Sequence, residues 1–147
     1  MNARFLKHIS LGAITLQLGT GAALAQALPS MVGTWNGQSH TISVDGSQVS
    51  PSSSWAKPAL TGRAISLQVA QQNERRFWGN VYANGKLEGP FIGVLGLDGK
   101  TVALVGPNAS AMGALIGNNK IQYCYTDAST STGNALFTAS CSELVKK

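Results

Sequence analysis

Closely spaced turn signals constrain this chain more than any other feature. Asp45-Gly46, Asn84-Gly85, Asp98-Gly99, Asn118-Asn119 and Gly133-Asn134 cut it into short segments. Asn-Gly and Asp-Gly favour tight hairpins, because both central positions of a type I′ turn take positive φ. Between the turns, Ile65, Leu67 and Val69 alternate with Ser66, Gln68 and Ala70, the period of a half-buried strand. Glycine and β-branched residues recur too often for a long helical stripe. The pattern predicts strands near 32–37, 39–45, 62–70, 76–83, 87–96, 101–106, 111–116, 120–126 and 135–144. Eight or nine short strands with tight connections fit an all-β antiparallel meander. Such a sheet must hide its edges, which favours closure into a small barrel.

Three local features refine this picture. A strict two-residue turn at Asn84-Gly85 sets Gly79 opposite Pro90 at a hydrogen-bonded site, and proline has no N–H to donate. A bulge or bend is therefore expected near Gly89-Pro90. A turn at Asp98-Gly99 pairs Leu95 with Val102 and Gly93 with Leu104 on one face, and Val94 with Ala103 and Ile92 with Val105 on the other. Both faces are apolar, whereas a lone barrel wall should be apolar on one side only. Either the chain covers the outer face, through the Ser-rich loop 47–58 and its Trp55, or Ile92, Val94, Ala103 and Val105 form a homo-oligomer interface. A Trp in such a loop is expected to fold back and bury its ring.

The first 27 residues read as a secretory signal peptide. Arg4 and Lys7 form a basic start, Leu11 to Leu24 is apolar or small, and Ala23-x-Ala25 and Ala25-x-Ala27 are small-x-small cleavage sites. The apolar run is too short and interrupted for a membrane span of about 20 residues. Residues 28–147 then form one domain with a single core. Setting Arg4 and Lys7 aside leaves nine Lys and Arg against six Asp and Glu, a net charge of +3. These charges are scattered, with no basic stripe for nucleic acid. An exported, periplasmic or secreted chain with two cysteines, Cys124 and Cys141, is expected to carry one disulfide. If strands 120–126 and 135–144 pair with the cysteines opposed, Tyr125 faces Ser140 and Thr126 faces Ala139, with a wide loop near Thr132-Gly133.

Chemistry is sparse. His40 is the one histidine after the leader. No second His or spare Cys joins it for a metal site. It is the one candidate imidazole base for a nucleophile, though a surface or strand-edge histidine is the expected reading. Asp45, Asp98 and Asp127 suit turns, and the spacing of Glu74, Glu88 and Glu143 marks no acid–base pair. No glycine run forms a phosphate loop, and no cofactor is expected. Trp35, Trp78, Tyr82, Phe91, Tyr123 and Tyr125 fall on predicted strands. They either fill the barrel or line a pocket in its mouth.

Gly33-Thr34-Trp35-Asn36, followed by Ser39, Thr41 and Ile42, resembles the first strand of avidins and the Gly-x-Trp signature of lipocalins, the calycin-type barrels. Trp78-Gly79-Asn80-Val81-Tyr82 is similar to an avidin strand. The C-terminal half resembles a class of exported bacterial barrel proteins. The resemblance implies an eight-stranded up-and-down barrel with a ligand in its mouth. It implies a ligand-binding role for Asn36, beside Trp35, Trp78, Tyr82, Phe91 and Tyr123. The Trp-rich later strands of avidins are missing, and no arginine in the last predicted strand matches the one that packs on the lipocalin Trp. The expected function is an exported, non-enzymatic barrel that binds a small apolar ligand or a protein partner. The alternatives are a filled barrel acting through its surface, as an inhibitor or envelope accessory protein, and a hydrolase-type enzyme with a minimal carboxylate site.

Overall fold

A computed structural model describes residues 27–46, 53–107, 109–131 and 134–147. The leader, its cut after Ala25, the first half of the Ser-rich loop (47–52) and the Thr132-Gly133 loop lie outside them. Ala27 is the first described residue and is exposed.

Eight strands follow in order: β1 Gly33–Asp45, β2 Ala59–Asn73, β3 Arg76–Ala83, β4 Lys86–Leu95, β5 Thr101–Val105, β6 Ser110–Ile116, β7 Lys120–Ser131 and β8 Asn134–Lys146. Each pairs antiparallel with the next, and β1 pairs with β8, so the sheet closes and has no free edge. This all-β meander has the up-and-down architecture that the calycin resemblance implies. The first two predicted strands are one. Gly37 does not break β1, because it faces inward where β8 crosses too closely for any side chain. A Cβ there would lie 1.8 Å from the Glu143 carbonyl oxygen. Gly79 and Gly113 do the same work on β3 and β6, against the Gln68 and Gln122 carbonyls at 1.8 and 2.0 Å. Inward glycines let strands coil sharply enough to close a narrow barrel.

Alternation fills the interior. Leu67, Val69, Phe77, Leu95, Val102, Leu115, Ile121 and Leu144 point inward and are buried. Phe77 and Phe91 meet edge to face with ring centres 6.2 Å apart. Bulges adjust the register twice, between Val69 and Gln71 on β2 and at Glu88 on β4. The second is the bulge expected near Gly89-Pro90. Asn84 and Gly85 both take positive φ, as the turn requires. The extra residue at Glu88 then moves Pro90 opposite Asn80 and Phe91 opposite Gly79.

The segment before β1 plugs one end. Met31 and Trp35 are fully buried, and Trp35 Nε1 donates to the Met31 carbonyl at 2.8 Å. Gln72 ties the plug down: its Oε1 accepts from Met31 N at 2.6 Å and its Nε2 donates to the Pro29 carbonyl at 3.1 Å. β8 runs past its predicted end at residue 144 to Lys146, whose Nζ lies 5.3 Å from the Trp35 ring centre and donates to the Ser30 carbonyl at 2.8 Å. A lysine thus supplies the cation over the first-strand Trp for which the sequence shows no arginine.

Cys124 and Cys141 oppose one another and are bonded, with Cα atoms 4.0 Å apart. Tyr125 faces Ser140 and Thr126 faces Ala139, the expected register. The disulfide sits on the outer face, because Tyr123 and Tyr125 alternate with Cys124 and turn inward.

Hairpin β4–β5 also has its expected pairs, from Ile92 with Val105 to Leu95 with Val102. Its expected cover does not materialise from Trp55. A turn closed by Ser54 and Lys57 holds that residue on the β1–β8 side, where its ring meets Phe137 at 5.5 Å over Val44. Trp55 remains 76% exposed, because it stands at the tip of the turn with one aromatic neighbour.

Candidate functional site

The interior splits into two halves of different chemistry. Towards the plug it is packed with aliphatic and aromatic side chains. Towards the opposite end, where the β3–β4 and β5–β6 connections lie, the inward residues become small or polar. Ser39 and Thr41 on β1, Gly89 on β4, Ala111 on β6 and Ser140 and Ser142 on β8 leave space that leucines fill elsewhere. The result is an open-ended cavity of about 290 Å³, near the lower bound of small-molecule pockets, about 300–1,000 Å³.

Its floor is apolar, formed by Ile65, Leu67, Val81, Phe91, Leu104 and Ala111. Its upper wall is polar. Arg63, Glu88, Tyr123, Tyr125 and Asp127 line it, with Ser39 and Ser142. Arg63 Nη1 meets Glu88 Oε1 at 3.4 Å, with the side chains 39% and 47% exposed. A pair this accessible contributes about 0–1 kcal/mol to stability, so its carboxylate and guanidinium are both available to a ligand. The Glu88 bulge is what brings that side chain to Arg63, because one extra residue reverses the alternation of β4. Burial raises the Tyr123 pKa above its ordinary value, opposed by a hydrogen bond with Ser142 and the charge of Arg63. The phenol is therefore neutral at physiological pH and holds a proton it can donate.

Of the six residues singled out in the sequence, the structure brings two into this cavity, Phe91 and Tyr123. Trp35 belongs to the plugged end. Asn36, Trp78 and Tyr82 do not line the cavity. They alternate with the inward residues Trp35, Phe77, Gly79 and Val81 and so face outward. Asn36 and Tyr82 share a shallow outer groove with Gln38 and Ser66, where Asn36 Nδ2 is buried without a hydrogen-bond partner. The avidin-like placement of Asn36 in the barrel mouth therefore does not hold. One residue of register decides this, since neighbours on a strand point to opposite faces.

Sequence reasoning names Tyr125 among the aromatics that could line a pocket, and the structure places it there. It passes over Arg63, assigns Asp127 to a turn and sees no pair in the spacing of Glu88. Tyr125 and Asp127 carried a usable signal: with Cys124 outward in a bridge, residues 123, 125 and 127 share the inner face. Glu88 carried none, because its position depends on which residue bulges. His40 faces outward, paired in register with Cys141. Among the described residues, no three of His, Cys, Asp and Glu gather as a metal site.

No protein-family model and no curated protein sequence matches the chain. Among solved structures, it is similar to an S-type phycobiliprotein lyase from Guillardia theta, at 12% identity over 80% of this chain and 88% of that one, with a TM-score of 0.31. A likeness at that score carries no functional weight, so function rests on the chemistry of the cavity itself.

Proposed function

We propose that this chain is an exported, non-enzymatic binding protein that takes a small, mainly apolar ligand with one polar group into the open end of its barrel. The observation that carries this is the polarity gradient of the cavity: an apolar floor beneath a rim of Arg63, Glu88, Tyr125 and Asp127. An apolar body gains about 25 cal/mol per Å² of surface removed from water, and the rim orients the polar end. Export is supported by the leader pattern and by a disulfide, which persists in oxidising compartments.

A second reading is a carboxylate hydrolase, and one observation favours it: Glu88 and Asp127 line the same cavity. The apolar floor supports the binding reading instead, because Ile65, Leu67, Val81, Phe91, Leu104 and Ala111 hold an apolar body and do no acid–base work. A barrel filled throughout and acting only by its surface is the least favoured reading, given the space at this end.

The test compares the exported protein with Ala111→Phe, which fills the cavity from its buried wall. Native mass spectrometry should show a small molecule retained by the unaltered protein and absent from the variant. Equal retention by both would count against the cavity. Chemical conversion of the retained molecule on incubation, lost in Asp127→Asn, would favour the hydrolase.

A further inference from the structure

The polar wall of the cavity has two sides of different charge. On one side Arg63 of β2 and Glu88 of β4 stand 3.4 Å apart, so their charges largely cancel for any group further off. On the other side β7 presents Tyr123, Tyr125 and Asp127 to the interior at alternate positions. One cation, Arg63, therefore lines the cavity against two carboxylates, Glu88 and Asp127, a formal sum of −1.

Asp127 carries that surplus. It is half-buried and, among the described residues, its side chain makes no ion pair or hydrogen bond. Register explains why Arg63 does not pair with it. Arg63, Ser39, Ser142 and Tyr123 form one cross-strand row, and Asp127 lies two inward positions further along β7. At about 3.4 Å per residue, its backbone stands roughly 13 Å beyond that row.

An ammonium group fits this wall. It makes a charge-assisted hydrogen bond to Asp127, and the neighbouring tyrosine rings offer it their negative faces. A carboxylate is served less well. On Arg63 it would share the guanidinium with Glu88, and Asp127 would repel it from across the mouth. A neutral polar group gains from neither charge.

We infer, on the binding reading above, that the ligand of this cavity is an apolar amine, protonated at neutral pH. Its hydrocarbon body lies on the floor of Leu67, Phe91 and Leu104, and its ammonium group meets Asp127 beside Tyr125.

Calorimetric titration of the exported protein with three probes of matched shape, 2-naphthylmethylamine, 2-naphthylmethanol and 2-naphthoate, tests the ligand class. At neutral pH the amine should bind at least about tenfold more tightly than the alcohol, the worth of one hydrogen bond to a charged group. The naphthoate should bind more weakly than the amine. Asp127→Asn keeps the shape of the side chain and should remove the preference for amine over alcohol. The three-probe comparison on the unaltered protein stands even where that variant fails to fold. Three results would overturn the amine while leaving the cavity reading in place: an alcohol that binds as tightly as the amine, a naphthoate that does so, or a preference for the amine that survives in the folded variant. If none of the three probes binds, the cavity reading falls and the amine with it.

Discussion

Single atoms decide this barrel at its inward glycines. At Gly79 a Cβ would sit 1.8 Å from the Gln68 carbonyl oxygen and 2.9 Å from the Val69 Cα. Backbone cannot swing aside as a side chain can. Gly79→Ala should therefore lower stability by at least the roughly 1–3 kcal/mol of ordinary overpacking. Gly85→Ala, where a Cβ meets nothing within 4 Å, should suffer only from its positive φ of 78°. Urea unfolding of the two variants checks the order. Asp98 is the other residue with a sharp consequence. Its carboxylate accepts from the Lys100 and Thr101 amides, both at 2.8 Å, and from Thr101 Oγ1 at 2.6 Å. These bonds, the Thr101 hydroxyl foremost, hold its pKa at about 2, below the ordinary 3.8. A carboxyl whose folded pKa is depressed supports the fold fully above its unfolded value and loses that support as pH falls through the folded one. The contribution of Asp98 should fade between about pH 4 and 2, and Asp98→Asn should lose this part of the acid sensitivity. Carboxyl NMR titration should place its midpoint near 2, and a midpoint near 4 would contradict the turn geometry.

At the scale of strands and hairpins, much is legible in the sequence. The hairpin 91–106 and the Cys124–Cys141 register followed from turn chemistry and opposed side chains, both local. A bulge near Gly89 followed because proline cannot fill a donor position. Other features depended on partners distant in sequence. The predicted gap at residue 38, between 32–37 and 39–45, is absent because β1 runs unbroken along β8. Lys146 lay beyond the predicted end of β8, where its pairing with Trp35 extends a strand that its own sequence does not. The disulfide belongs to this scale. It closes a loop of 17 residues in separation, which on the chain-entropy model stabilises by about 3 kcal/mol. For a domain of this size Cys141→Ser should lower Tm by roughly 10 °C. Far-UV circular dichroism should stay β-type at about 25 °C, since the other hairpins keep their own turns. Loss of β structure at that temperature would show that the staple supports the whole closure.

At the scale of the molecule, one barrel carries two distinct regions: a graded cavity at its open end and an apolar outer face on β4–β6, where Ile92, Val94, Val105 and Met112 are exposed. The cavity is partly legible in the sequence, through Phe91 on its apolar floor and Tyr123 and Tyr125 on its polar wall. The charged part of that wall is not, because the positions of Arg63 and Glu88 depend on closure and on one inserted residue. The outer face was legible as an excess, since a hairpin apolar on both sides cannot be satisfied by a single core.

Uptake of a small apolar body at the open end is the central claim, and nitrogen- and methyl-detected NMR during titration with 2-naphthol tests it most directly. Saturable shifts should concentrate on Ile65, Leu67, Phe91, Leu104 and Tyr123 and vanish in Ala111→Phe. Shifts confined to the outer face around Ile92 and Met112, or cavity resonances unmoved at saturating probe, would contradict it.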